Sequence, residues 1–276
     1  MSLKIKVKKI LAKVGYNIIA VPRHNSGLLK NRLSKNLNFG FVYEDAAFKA
    51  MQVISSNTMV TYEPLVSLFE QVIYCEKNKI KGDFVECGTW KGGATGMMAL
   101  ANLQYGTARR HLHLFDAFQE ICQPDEAHDD KVIIEEVKKL GKVKQFQTEL
   151  KPITGVYDQF GGPGTLTENK KLMESTIGYP TDYLHYHVGW FQDTLPADAG
   201  LIKEIAILRL DGDWYQSTKV CLDYLYDKVV TSGIIIIDDY GYNTGCKKAV
   251  DEFLESKQLY PLFNFVTKTC CYFFKR

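Results

Sequence analysis

Three carboxylates stand at the ends of two apolar runs: Asp211 closes "IAILRLD", and Asp238 and Asp239 close "GIIIIDD". Adjacent like charges at the end of a buried strand repel and resist desolvation. If the two runs are neighbouring strands, the three side chains converge. Three hard oxygen donors on one spot suit magnesium or calcium, not zinc. A divalent cation removes the repulsion, and it can bind a hydroxyl and lower its pKa. Helix N-capping, the bland use of Asp at such a place, accounts for one of the three but not for all.

Other residues that could do chemistry stand at the ends of further apolar runs. After "DFVEC" comes Glu86-Cys87-Gly88-Thr89-Trp90-Lys91-Gly92-Gly93, after "HLHLFD" comes Asp116-Ala117-Phe118, and after "YLHYHV" comes Gly189-Trp190-Phe191. The first resembles a nucleotide-binding loop without being G-x-G-x-x-G. Its glycines permit positive φ and close approach of backbone to a ligand. Glu86 would repel a pyrophosphate and suits a cationic partner, such as the amino group of a methionine moiety. An acid at the position of Asp116 can bond a ribose diol. Together these residues suit S-adenosylmethionine better than NAD. Each has a structural alternative: Glu86 can cap the following helix, and Asp116 can simply end a strand. His111 and His113, and likewise His185 and His187, share a strand face at mid-strand, away from that edge, and read as structural. His128, in "DEAHDDK" of the insertion, is a secondary candidate for a base.

The elements that must position these residues alternate. Strands are expected at 83–87, 111–116, 183–189, 205–211 and 233–239, with helices over "GATGMMALANLQ", "YQSTKVCLDYLYDKV" and "TGCKKAVDEFLESK". Residues 44–79 space their apolar side chains at three and four, as helices do, and Pro64 suits a helix start. "YPLFNFVTKTCCYFFKR" reads as a terminal hairpin. The fold class is therefore α/β: a doubly wound, mostly parallel sheet with right-handed crossovers and an antiparallel C-terminal hairpin. In such a sheet, ligands bind beyond the carboxyl ends of the strands. Residues 117–182 are too long for a plain connection and read as a lid or substrate insertion, with a mobile turn at Gly161-Gly162-Pro163-Gly164.

Seven scattered cysteines without C-x-x-C argue against a disulfide framework and fit a reducing cytosol. No run is long and apolar enough to span a membrane, and no secretory signal is read at the start. The net charge is only +2, but residues 1–43 form a basic arm whose first 40 residues hold nine Lys and Arg and no acid. Two readings of the arm stay open: a solvated or partner-packed extension, or a peripheral contact with the anionic inner membrane. No nucleic-acid partner is expected.

"DFVECGTWKGG", "GWFQDTLP", "LRLDGDWYQST" and "IIIIDDYGYNTGCKKAVDEF" resemble the macrocin O-methyltransferase family, and the likeness runs from about residue 44 to the end. The resemblance implies a seven-stranded class I methyltransferase domain over 44–276 that uses S-adenosylmethionine and Mg2+ to methylate a hydroxyl of a sugar or glycan acceptor. It implies metal ligands at Asp211, Asp238 and Asp239, a cofactor loop from Glu86 to Gly93, a ribose-side acid at Asp116 beside Phe118, and an adenine-side turn at Gly189-Trp190-Phe191. Asp211 is also the candidate for accepting the hydroxyl proton. A homo-oligomer is compatible with this reading. Gln216 departs from the Glu that members often carry. Residues 117–182 match no motif, which leaves the acceptor open. Two rival readings are a glycosyltransferase using Asp211-Gly212-Asp213 as a D-x-D motif and a non-catalytic scaffold with the same fold.

Overall fold

The computed structural model describes residues 40–147 and 149–276. The basic arm up to residue 39 lies outside the described residues. The sheet contains β1 (Asp83–Cys87), β2 (Leu112–Asp116), β3 (Leu184–Val188), β4 (Ile205–Leu210), β5 (Val229–Ile237), β6 (Asn264–Phe265) and β7 (Cys271–Phe274). Their order is β3-β2-β1-β4-β5-β7-β6. β1 to β5 run parallel, and β7 returns antiparallel between β5 and β6. The terminal hairpin is thus present, with β7 inside and the short β6 at the edge. The chain winds outward through β1, β2 and β3, then crosses back to β4. The order therefore reverses between β1 and β4, where such sheets bind ligands.

The helices are α1 (Glu44–Ile54), α2 (Tyr62–Lys77), α3 (Gly93–Tyr105), α4 (Lys131–Gly141), α5 (Leu166–Lys170), α6 (Phe191–Asp198), α7 (Tyr215–Leu225) and α8 (Thr244–Ser256). Pro64 falls in the first turn of α2, where its missing N–H breaks no helical bond. α5 runs directly into a π-helical turn, Lys171–Ile177.

Alternation along the strands sorts side chains between two layers. Val85, Cys87, Leu208, Leu210, Ile235 and Ile237 face one way, onto apolar residues of α6, α7 and α8. Glu86 and Arg209 face the other way, where Thr95 of α3 donates to Glu86. α1 and α2 pack against α3 on that side. Among the described residues no helix is long and apolar enough to cross a membrane.

The insertion is tied down more than its glycines suggest. Cys122, Val137, Ile153 and Trp214 form a small apolar core of their own, and the Trp214 indole donates to the Cys122 carbonyl at 3.0 Å. Asp129 accepts from the Tyr215 backbone N–H at 2.9 Å and so caps α7 from outside its own chain segment. The Gly161–Gly164 run, expected to be mobile, is bonded to the loop after β1. Trp90 donates to the Gly162 carbonyl at 3.2 Å and Lys91 to the Gly161 carbonyl at 3.0 Å.

Candidate functional site

Strand register brings the charged residues together. Arg209 pairs across β1 with Glu86 and across β5 with Ile236. Asp211 and Asp238 each follow their strand partner by two residues, so all four side chains leave the sheet on one face. Asp211, Asp238 and Asp239 offer carboxylate oxygens within 4.8 Å of one another. The predicted convergence of these three residues is present.

Arg209 was not anticipated in this role. The residue is 2% exposed, and its guanidinium donates to Glu86 Oε1 at 2.6 Å, Asp211 Oδ2 at 2.7 Å and Asp238 Oδ1 at 2.7 Å. The signal was legible as a lone charge inside the apolar run "IAILRLD". Part of the repulsion among the aspartates is therefore met by a resident cation.

The remaining charge still shows in proton affinities. Burial raises the Asp238 carboxyl to about 6, with Arg209 pulling the other way and Asp211 adding to the rise. Burial, then Asp213 and Asp211, push Asp239 well above the ordinary range. Asp239 Oδ2 is buried without a hydrogen-bond partner. Such an orphaned acceptor is costly unless something absent from the protein alone satisfies it. Asp213 is also pushed well up, by burial and by the charges of Asp211 and Asp238.

Glu86 has different partners from those expected. It is 1% exposed, and its two oxygens receive Arg209 and Thr95. Burial raises its carboxyl to about 7, against the pull of Arg209. The carboxylate is engaged beneath the cleft and not directed into it. Cys87 likewise points away: its side chain belongs to the apolar core on the opposite face, because it is one residue out of phase with Glu86. Phe118 is buried and edge-on to Tyr186, outside the cleft lining.

The glycines also have packing roles, and Gly88 lines both cavities over the site. A Cβ on Gly88 (φ +91°) would fall 1.8 Å from the Asp211 carbonyl oxygen. Gly88 therefore lets the ends of β1 and β4 meet at the point where the strand order reverses. A Cβ on Gly92 would strike the Asn169 side chain, and one on Gly93 would strike residues 57 and 58. Their bareness makes room for the insertion and for the α1–α2 turn.

Asp116 does border the cleft, and it also builds the loop opposite. Its Oδ2 accepts from the backbone N–H of Thr89 at 2.7 Å and of Trp90 at 3.0 Å, and its Oδ1 from Phe118 N–H at 2.6 Å. Burial raises its carboxyl despite these donors. Trp90, Phe118 and Asp213 have φ of +46°, +52° and +59°. These left-handed non-glycine residues sit one each on the loops after β1, β2 and β4, a strain that recurs at ligand sites.

Two adjoining cavities open over these loops. The smaller, about 60 Å³, is walled by Gly88, Asp116, Glu120, Gly189, Trp190 and Phe191 among others. Glu120 Oε2, on that wall, is a second buried oxygen without a partner, and the sequence reading missed it. The larger cavity, about 300 Å³, shares Gly88, Asp116, Asp211 and Asp213. Its outer wall comes from the insertion, through Ile133, Val137, Leu140, Val156 and Phe160. His128 is not on either lining. It bonds Asp125 at 2.8 Å and stacks on the Tyr215 ring. The arrangement offers one subsite at the reversal point, a second under the insertion, and an oxygen-donor cluster next to both.

The chain matches the family model described as macrocin O-methyltransferase (TylF) over residues 49–162 and 166–275. It is 31% identical over 202 residues to demethyldecarbamoylnovobiocin O-methyltransferase of Streptomyces niveus, covering 72% of this chain and 68% of that protein. It is 28% identical over 199 residues to 8-demethyl-8-(2,3-dimethoxy-alpha-L-rhamnosyl)-tetracenomycin-C 4'-O-methyltransferase of Streptomyces olivaceus, covering 72% and 67%. Among solved structures, the O-methyltransferase NovP superposes with a TM-score of 0.63 at 26% identity, covering 79% of this chain and 82% of that one. These likenesses remove the glycosyltransferase reading of Asp211-Gly212-Asp213 and the scaffold reading. The chain belongs to the macrocin O-methyltransferase family and is an S-adenosylmethionine-dependent O-methyltransferase.

Proposed function

We propose that this enzyme methylates a sugar hydroxyl of a glycosylated acceptor, with Mg2+ held by Asp211, Asp238 and Asp239. The observation that carries the reading is the orphaned Asp239 Oδ2 within a cluster of three convergent carboxylates beside the cleft. Arg209 takes one oxygen each of Asp211 and Asp238, Asp238 also receives the Cys270 thiol, and oxygens of all three aspartates still lie close enough to share an ion. An all-oxygen donor set fits Mg2+. When bound, such an ion lowers the pKa of a hydroxyl beside it. S-adenosylmethionine supplies the electrophilic methyl group on its sulfonium.

The protein's own contributions are placement and proton handling. The small cavity between Asp116 and the Gly189-Trp190-Phe191 turn suits the nucleoside, and Glu120 Oε2 adds an acceptor for its hydroxyl or amino donors. Asp211 is assigned to accept the hydroxyl proton, since it borders both cavities and belongs to the donor cluster. The larger cavity, with its apolar wall and the rings of Trp90, Tyr157 and Trp214, suits a sugar attached to an apolar body. The rhamnosyl substrate in the name of the Streptomyces olivaceus relative supports a sugar acceptor.

The test supplies S-adenosylmethionine and a panel of glycosides, with Mg2+ or with excess EDTA, and reads the methylated position by mass spectrometry. A sugar O-methyl product that needs Mg2+ is expected. Methylation of the aglycone alone sinks the sugar assignment, and undiminished transfer in EDTA sinks the metal assignment.

A further inference from the structure

We infer that Arg209 is the positioning residue of the metal cluster: its guanidinium fork sets which oxygens of Asp211 and Asp238 face the ion. This inference rests on the Mg2+ reading above.

Arg209 sits on the central strand of three, β1-β4-β5. One nitrogen, Nη1, reaches Glu86 on β1 and Asp211 at the end of its own strand. The other, Nη2, reaches Asp238 past the end of β5. A planar fork can hold three carboxylates at set angles, whereas an ammonium is a point charge that cannot. Arg209 pins one oxygen each of Asp211 and Asp238, the Cys270 thiol being a further partner of Asp238, and that pinning sets how the two carboxylates face the ion. Asp239 is not bonded to the guanidinium, and its Oδ2 is the one left without a partner.

Stability does not explain the arrangement. Burying a guanidinium and its carboxylates costs several kcal/mol per ion, and apolar replacements of such groups are often no less stable. Glu86 completes the device. Its carboxylate, opposite Arg209 in register, holds Nη1, the same nitrogen that reaches Asp211. That accounts for an acid at position 86 whose oxygens do not enter the cleft.

The test is Arg209→Lys, which keeps the charge and loses the fork. Calorimetric titrations of the acceptor-free protein measure Mg2+, Ca2+ and S-adenosylhomocysteine binding. Mg2+ demands near-octahedral geometry, while Ca2+ tolerates displaced ligands. R209K should therefore weaken Mg2+ by about tenfold or more and Ca2+ by clearly less. Equal Mg2+ binding by R209K and wild type overturns the inference, and so does an equal loss of both ions. If R209K lacks a cooperative melt, the charge-neutral double variant E86Q/R209Q is titrated instead, under the same two criteria. A wild-type protein that binds neither ion sinks the metal reading itself, which is a different failure from ions that bind without regard to Arg209.

Discussion

The sheet carries two clusters of titratable side chains, and they are finished differently. On β2 and β3 the imidazoles close on one another: His111 Nδ1 meets His185 Nε2 at 2.8 Å, and His113 Nδ1 meets His187 Nε2 at 3.1 Å. Asp83 and Asp198 terminate the inner pair at 3.3 Å and 2.8 Å. His113 and His187 thus have a partner at both ring nitrogens, with the hydrogen-bond chain from Asp83 to Asp198 fully bonded when the pair shares one extra proton, and stacking on neighbouring rings, such as Phe115 on His187 at 3.9 Å, fills their faces. At the carboxyl ends of β4 and β5, by contrast, one guanidinium faces more carboxylates than it can neutralise, and an oxygen is left over. A cluster whose bonding capacity is closed within the chain is architecture. One with capacity left over, at the open end of the sheet, is a place for a ligand.

The largest expected effect breaks the open cluster. Asp239→Asn keeps the size of the side chain and removes the charge that meets no partner. Mg2+ affinity and turnover should each fall on the order of a hundredfold, since even residues that only support ligands cost 10- to 100-fold. S-adenosylhomocysteine binding should change much less, because Asp239 does not border the smaller cavity. Parallel metal and S-adenosylhomocysteine titrations decide it; equal losses of both would mean that the two subsites are not separate.

What the sequence made legible follows the same division. Strand limits were read closely, because apolar runs and alternation are local: β1 spans the predicted 83–87, and β4 ends one residue before Asp211. β5 begins at Val229 instead of Gly233, since the polar Thr231 and Ser232 hid its start. The three aspartates were legible because charge at the end of an apolar run is conspicuous. Partner choice was not legible. Whether Glu86 meets a ligand or Arg209 depends on the register of two strands more than a hundred residues apart, and nothing local encodes it. The packing role of the glycine loop was hidden for a related reason: bare Cα positions look alike whether a ligand or another chain segment comes close. Asn169, which fills the space beside Gly92, is equally invisible from residues 86–93.

A smaller effect is expected where the closed cluster is opened. His187→Ala removes a ring bonded at both nitrogens and leaves His113 Nδ1 and Asp198 without it. His113 is buried, and leaving its nitrogen unsatisfied costs about 1–3 kcal/mol, while the part-exposed Asp198 can turn to water. Denaturant melts should show that loss, while turnover per folded molecule stays near wild type. A variant that melts like the wild type but loses activity would place the ladder in the active site and erase the contrast between the clusters.

The smallest effect concerns pH. Burial, and then the neighbouring His113, His111 and His187 rings, lower His185 from 6.5 to about 4. In the unfolded chain the ring takes up a proton as pH drops through about 6.5. In the folded chain it stays neutral until about 4. Between those values the unfolded state binds more protons, so acidification favours unfolding. The stability linked to neutral His185 is complete above about 6.5, declines down to about 4, and is flat below. His185→Asn cannot titrate there. The melting temperature of the wild type minus that of His185→Asn should therefore shrink between pH 7 and pH 5. Taking the difference is necessary, because carboxyls raised by burial, such as Glu86 at about 7, shift stability in the opposite direction over this range. A difference that stays constant with pH would mean that the surroundings of His185 do not disfavour its protonated form.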